Sequence, residues 1–505
     1  MSKLSDIGLD FETYYDDEYT LKKLQTAQYI LDPRFEIIGV SVKLGEGIAA
    51  QWITGSSEQI KDKLLELVPD WSSKRVVAHN ARFDASILEW RLGVKAGGYF
   101  CTMVASRPFF VPYTGSQSLA AIAAYLRLGT KGDAVVAAKG KHRSAFSEAE
   151  MKAYGAYSCN DTELAWGIRN RLMPIMPEDE QITVDLTIRK YVRPRLMLDV
   201  TALTQRKGEL EKENEDLLAK LQKTYGVSAG DIRSRETFAH LLNDHGASPP
   251  TKFNATGEST YAFAKTDPAF KALLAHPRAE VRELVAAKMK LSSTIEHART
   301  VRLIDLAAHT LGRLPVPLVY YGAHTGRLSG DEKINLQNPQ KVEMKDGVML
   351  KGHIRKAMRA QPGYVVVAAD LAAIEARIIA TLAGQDDLVE AFKTGFDIYS
   401  EFASKIYMCP VNKKSEPLKR FVGKTCILGL GYGMGVDKFR LKMAQEGIIM
   451  DRDEAARIVY LYRETYPKIP ALWKILETLA TRIMTDPSGL YSWKCLAFAH
   501  ERITR

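Results

Sequence analysis

Asp370 closes the apolar run of "YVVVAADLAAIEARI" (residues 364–378), and Glu375 and Arg377 follow it closely. Val365 to Ala369 is short and continuously apolar, which predicts a strand covered on both faces with Asp370 at its end, where ligands tend to be bound. The plain alternative is that Asp370 caps the helix that follows. In "KRFVGKTCILGLGYGMG", Arg420, Lys424, Leu428 and Tyr432 recur every four residues, so they share one slowly drifting helix face. Two cations one turn apart suit a triphosphate, and they equally suit a solvated basic face. Near the other end, Asp10 and Glu12 lie two apart on a strand and point to one face. Asp84 opens a later helix, and Tyr157 and Asp161, four apart, share a face of another. Each acid alone reads as a surface group or a cap, while the four together make the hard oxygen cluster that Mg²⁺ prefers.

These residues need elements to carry them. "IGLDFET", "FEIIGVSVKL" and "AAQWIT" read as three strands, followed by a helix over Glu58 to Leu67, a strand at "RVVAHN" and a helix at "FDASILEWRLG". That order predicts a mixed sheet with helices packed on it. "AEMKAYGAYSCNDTELAWGI" reads as a helix, and Pro174, Pro177 and the acids beside them as a linker. From Val200, Leu203, Leu210, Leu217 and Leu221 repeat at helical spacing among charged residues, and "VRELVAAKMKLSSTIEHARTVRLI" adds basic helical segments able to meet a phosphate backbone. Ser415 and Pro417 predict a helix start, and Gly429, Gly431 and Gly433 its loosened end.

A chain of 505 residues is too long for one core, so two or three domains are expected. With 46% hydrophobic and 26% charged residues the composition is that of a globular protein, and the net charge of +10 favours a polyanionic partner. The five cysteines, Cys101, Cys159, Cys409, Cys426 and Cys495, form no CxxC pair, which argues against a zinc site or a disulfide framework. The N-terminus "MSKLSDIGLDFETYYDD" lacks the apolar stretch of a signal peptide, and no apolar run approaches spanning length. A cytoplasmic protein with no membrane association is expected.

The segments "DFE", "HNARFD" and "YSCND" resemble the three motifs of the DEDD superfamily of 3′–5′ exonucleases, in the variant with tyrosine in its third motif. The resemblance implies an RNase H-like α/β domain and phosphodiester hydrolysis with two Mg²⁺ ions roughly 4 Å apart. Asp10, Glu12, Asp84 and Asp161 would be the ligands and Tyr157 would orient the attacking water. Asn80 would position substrate or the local turn, and His79 would be structural.

"HTGRLSGDEKINLQNP", "HIRKAM", "DLAAIEARI" and "RFVGKTCILGLGYG", in that order, resemble the polymerase region of the family A DNA polymerases, the last two as motifs A and B. What this implies is a right-hand polymerase behind the exonuclease: residues 1–175 exonuclease, 176–310 linker and thumb, 311–385 palm, 386–480 fingers and 481–505 the start of the remaining palm. Asp370 would bridge two Mg²⁺ ions, and Arg420 and Lys424 would neutralise the β and γ phosphates of a dNTP. Tyr432 would stack near a base, and Glu375 would crowd the place of a ribose 2′ hydroxyl. Arg327, Gln337, Asn338, Arg355 and Arg377 would touch primer-template DNA. The implied protein is a proofreading replicative polymerase, phage-like, acting in a host cytoplasm.

Two departures qualify that pattern. Leu428 stands where the family has phenylalanine or tyrosine, which predicts discrimination against dideoxynucleotides. A family A palm also needs a second carboxylate, in a His-Asp-Glu motif C, whereas "CLAFAHERITR" offers only Glu501. The palm is therefore expected to be incomplete, with motif C on a C-terminal polypeptide outside this chain. The competing readings are a 3′–5′ exonuclease whose polymerase region only holds DNA, and a non-catalytic DNA-binding subunit.

Overall fold

A computed structural model describes residues 4–254, 256–292, 295–346, 348–494 and 496–499. The chain forms two compact units, Met1–Ala219 with Ser293–Val366, and Lys220–Ser292 with Val367–Arg505.

In the first unit, β1 (Ser5–Thr13), β2 (Ile37–Lys43), β3 (Gln51–Ile53), β4 (Lys74–Ala78) and β5 (Gly98–Cys101) form one sheet in the order β3-β2-β1-β4-β5. β1 pairs antiparallel with β2 and parallel with β4, so the sheet is mixed, as its element order predicts. Ile7, Leu9 and Phe11 of β1 are buried in the core, and by alternation Gly8, Asp10 and Glu12 face the other side. Against that side lies the helix α4 (Glu148–Leu172), started by a capping box between Ser147 and Glu150. Gly8 is what lets it lie close, since a Cβ there would stand 2.9 Å from Thr162 Cγ2. The short helix α1 (Thr26–Leu31) and β5 are elements the sequence reading did not anticipate, while α2 (Ser57–Leu67) and α3 (Ala81–Ser86) stand where helices were expected.

Pro174 to Pro177, expected to link, form a short non-helical connection, and the acids after them open the helix α5 (Glu178–Val192). Its Val184, Ile188, Tyr191 and Val192 are buried in the same core as β1, because they repeat at three- and four-residue spacing and make one apolar stripe. Residue 175 is accordingly no boundary between compact units. Beyond α5, Leu196–Leu198 is the middle strand of a small sheet between Met358–Ala360 and Arg313–Leu314, which ties residues 313–360 into the first unit.

The second unit is mostly helical. The helices α6 (Ile374–Ala383), α7 (Ile398–Tyr407) and α8 (Pro417–Gly429) bury Ala376 and Ala380, Phe402 and Ile406, and Val422, Cys426 and Ile427 in one core with Phe439, Ile458 and Tyr462. Proline opens α8 and Gly433, in the left-handed region at φ 72°, follows its last turn, as expected from the sequence. Leu490–Trp493 and Leu496–Ala499 pair as a hairpin, whereas Cys495, His500 and Glu501 lie outside the described residues.

The strand expected at Val365 to Ala369 does not form. Residues 364–370 carry no regular structure, and Val365 and Val367 are each 83% exposed. An apolar run becomes a buried strand only where neighbours satisfy its backbone and cover both faces, and among the described residues no strand pairs with this one. No described helix is long and apolar enough to cross a membrane.

Candidate active sites

β4 ends at Ala78 while β1 runs on, so the Phe11 amide lies past the last β4 pairing, Gly8 with Val77. Asp84, in the first turn of α3, fills that gap by accepting the Phe11 N–H at 3.0 Å. The turn between β4 and α3 needs a left-handed residue, and Asn80 supplies it at φ 78°, a conformation asparagine tolerates well. From the other side α4 meets the acids of β1. Tyr154 donates its hydroxyl to Glu12 Oε2 at 2.6 Å, and Ser158 Oγ donates to Asp10 Oδ2 at 3.2 Å. Asp161 pairs with Lys131, whose ammonium lies 4.8 Å over the Tyr157 ring.

The four carboxylates expected to act together are thus brought together, and they pay for it electrostatically. Burial and the neighbouring Asp161 push Asp10 up to about 7. Burial, then Asp10, raises Glu12 and Asp84 well above the usual carboxylate range, and burial raises Asp161. The Tyr157 phenol is raised by burial and by Asp161. A cation would relieve the mutual repulsion of such a cluster. The donors are all hard oxygens and Asp161 Oδ1 is buried with no hydrogen-bond partner, so the residues fit a divalent ion such as Mg²⁺. Yet among the described residues no group of three or more histidines, cysteines or carboxylates is arranged to hold one as it stands. Phe11, Tyr154, Ser158 and Lys131 engage oxygens that a metal would use.

His79 is not a base for this cluster. Its Nε2 donates to the Gln117 carbonyl at 3.0 Å, Nδ1 faces Thr102 Oγ1 at 3.0 Å, and burial lowers it to about 4. Sequence reasoning missed Tyr154, Ser158 and Lys131. Tyr154 and Ser158 are four apart and lie on the face of α4 that meets β1, so helical spacing from Asp161 could have found both. Lys131 sits in a loop between Gly129 and Gly132, where no periodicity points at it.

The second set of expected residues behaves differently. Asp370 is exposed and neither ends a strand nor caps a helix, since Ala373, at φ 52°, is the residue preceding α6. Glu375 and Arg377 lie on α6, where Arg377 is fastened to the Ala372 and Phe392 carbonyls at 2.8 and 3.1 Å. On α8, Arg420 bonds Asp397 through Nε and Nη2 at 2.7 and 3.0 Å, Lys424 is exposed, and Leu428 packs at the edge of the core. Tyr432 donates to the Glu375 carbonyl at 3.3 Å. One compact unit therefore holds Asp370, Glu375, Arg377, Arg420, Lys424, Leu428 and Tyr432. Arg327, Gln337, Asn338 and Arg355 belong to the other unit and all four are exposed. Gln337 Nε2 there ties its loop to the Leu328 carbonyl at 2.7 Å.

Residues 200–483 match the family model of DNA polymerase family A. The chain belongs to that family. This family A chain is 29% identical over 408 residues to DNA polymerase I of Treponema pallidum, covering 78% of the chain and 38% of the relative. It is 26% identical over 485 residues to DNA polymerase I of Pseudomonas aeruginosa, 89% of the chain and 50% of the relative. With the thermostable DNA polymerase I of Thermus filiformis it shares 31% over 297 residues, 56% of the chain and 32% of the relative. The chain thus spans a third to a half of the length of these relatives. Its fold is similar to that of the POL domain of Pol1 from M. smegmatis in complex with DNA primer-template and dNTP, with a TM-score of 0.64 at 20% identity over 96% of this chain and 77% of that one. The family match begins at residue 200, so the acid cluster of β1, α3 and α4 lies outside it.

Proposed function

We propose that this chain takes part in template-directed DNA synthesis and proofreads it, removing nucleotides from DNA 3′ ends at the Asp10, Glu12, Asp84 and Asp161 cluster. The observation that carries the proofreading half is the gathering of four carboxylates, Glu12, Asp84 and Asp161 buried and Asp10 half-buried, ahead of a family A polymerase region. Burying like charges is costly, and perturbed acids of this kind gather at functional sites. Two Mg²⁺ ions, when bound, would supply an activated water and charge stabilisation at the leaving oxygen. Asp10, Glu12, Asp84 and Asp161 would hold them, Tyr157 would orient the water, and Lys131 would give up its hold on Asp161.

For synthesis, membership of family A supports DNA and dNTPs as partners, and divalent metal ions are general in that family. Arg420 and Lys424, one turn apart on α8, would bind the triphosphate. Asp370 would hold metal, Glu375 would exclude a 2′ hydroxyl, and Leu428 and Tyr432 would border the sugar and base. Arg327, Gln337, Asn338, Arg355 and Arg377 would position primer-template by its backbone and minor groove. The domains would be exonuclease (1–175), thumb (176–310), palm (311–385 and 481–505) and fingers (386–480). A polypeptide carrying His-Asp-Glu would complete the palm and cover the exposed run 364–367, giving Asp370 its second carboxylate. Replication of phage DNA in a host cytoplasm is the setting proposed.

The exposure of Asp370 favours one other reading, an exonuclease whose polymerase region holds DNA without extending it. A 5′-labelled primer-template distinguishes the two. The chain with Mg²⁺ alone should shorten the primer, and with dNTPs and a His-Asp-Glu polypeptide it should extend it. Shortening without extension would favour the second reading, and neither activity would overturn both.

A further inference from the structure

Arg420 is held before any triphosphate arrives. Its Nε and Nη2 donate to Asp397 Oδ2 and Oδ1 at 2.7 and 3.0 Å, and its guanidinium lies 5.1 Å from the Tyr399 ring centroid. Asp397 is itself fixed as the N-cap of α7, receiving the Ser400 hydroxyl at 2.8 Å and the Ser400 N–H at 3.4 Å. The two helices are packed closely beside the pair, since Gly423, one turn beyond Arg420, sits where an added Cβ would be 2.2 Å from the Tyr399 carbonyl oxygen. Gly423 and the α7 and α8 core residues beside it are buried.

We infer that Asp397 is a positioning residue for nucleotide binding, holding the Arg420 guanidinium by one edge so that its Nη1 end is presented to the triphosphate. The inference rests on the assignment of Arg420 and Lys424 to the triphosphate. A bidentate carboxylate fixes both the plane and the direction of a guanidinium, which an unpaired arginine on a flexible stem would have to acquire on binding. The aspartate also removes charge that would attract phosphate, so the two effects oppose each other. Orientation wins here because the pair is partly exposed, with side-chain exposures of 20% for Arg420 and 39% for Asp397, where water screens the charge term but does not restore the lost geometry. Lys424, exposed on the next turn and outside the pair, keeps its full charge for the ligand.

The test is equilibrium binding of Mg²⁺-dATP to the full chain and five variants. Asp397→Asn keeps a good N-cap but loses the charge and one of the two acceptor oxygens, so the melting midpoint should stay within a few degrees while Kd for dATP rises about 3- to 10-fold. The same substitution in an Arg420→Ala background should change Kd less than about 1.5-fold, since Asp397 acts through Arg420, whereas in a Lys424→Ala background its full effect should persist. Unchanged or tighter binding by Asp397→Asn, with Arg420→Ala weakened, would overturn the inference and leave the triphosphate assignment standing. Equal binding by wild type and Arg420→Ala would overturn the assignment, and the inference with it.

Discussion

Asp10 and Asp370 are both aspartates set in apolar runs, and the fold treats them in opposite ways. Asp10 lies on the middle strand of a five-stranded sheet, with a helix across its face and three other carboxylates within electrostatic reach. Asp370 follows a run that pairs with no described strand and stays exposed. An acid becomes a site when neighbouring elements desolvate it and aim partners at it. In the first region those partners are Ser158, Tyr154, Phe11 and Lys131, and they come from three different segments of the chain. In the second region the group held in place is a cation, Arg420 on α8, while Asp370 stays exposed.

The contrast is broken most severely by removing acids on each side. Asp10→Ala with Glu12→Ala should lower Mg²⁺-dependent shortening of a 3′ end by about 10³-fold or more, since two ligands are lost from one cluster. Primer-template affinity, measured by filter binding, should change less than about 3-fold, because phosphate contacts dominate it and these acids make none. Undiminished shortening by the double variant would show that the buried cluster is not the nuclease site. Asp370→Asn should do the converse. It should cost about 10²-fold in primer extension by the chain supplied with a His-Asp-Glu polypeptide and leave shortening untouched. If one substitution impaired both activities equally, the two regions would have to be read as one site.

A smaller effect tests the burial itself. His79 is lowered to about 4, below its ordinary value near 6.5. Between those values the unfolded chain binds a proton that the native chain does not, so this stability is present above pH 6.5 and is lost as pH falls toward 4. The loss is about 3 kcal/mol at most. His79→Gln retains a donor for the Gln117 carbonyl and cannot titrate, so its urea midpoint should fall less than that of wild type between pH 7 and pH 4.5. Parallel decline of the two proteins would mean that His79 is accessible to protons in the native state.

What the sequence made legible follows from the same contrast. Asp10 and Glu12 are recognisable because strand alternation puts them on one face, and Tyr157 and Asp161 because helix spacing does the same. Arg420, Lys424 and Leu428 on α8 were legible for that reason too, with its proline start and glycine end, while Tyr432, expected on the same helix, falls in the tighter turn Leu430–Tyr432 that follows. Lys131 was not, since a glycine-flanked loop has no period, and neither was Asp397, whose capping signal says nothing about the arginine on another helix. The run at 364–369 misled because periodicity reports what a segment can bury and not whether anything covers it. The division into units was equally hidden. It depends on Arg313–Leu314 and Met358–Ala360 pairing with Leu196–Leu198, strands of two and three residues that carry no readable pattern.

The finest test concerns Lys131, a cation already inside the acid cluster. Its ammonium pairs with Asp161 Oδ2 while Asp161 Oδ1 is left buried without a partner, so the lysine stands among oxygens that a divalent ion would also claim. Lys131→Met keeps the length of the stem and removes the charge. Two effects then compete. The variant loses a cation that competes for Asp161, which strengthens metal binding. It also loses the charge that helps hold Asp10 and Glu12 down, and carboxylates that keep their protons bind metal poorly. The second effect fades once the solution is above the range into which Asp10 is raised, near 7. At pH 8 the first should prevail, and because the lysine side chain is 28% exposed and its pair partly screened, the gain is modest. Mn²⁺ binding followed by electron paramagnetic resonance should be about 5-fold tighter in Lys131→Met at pH 8, with the advantage shrinking toward pH 6.5. Weaker binding at pH 8 would mean that Lys131 supports the metal-loaded cluster, and the buried acids would then resemble the held Arg420 of α8 more closely than the contrast with Asp370 allows.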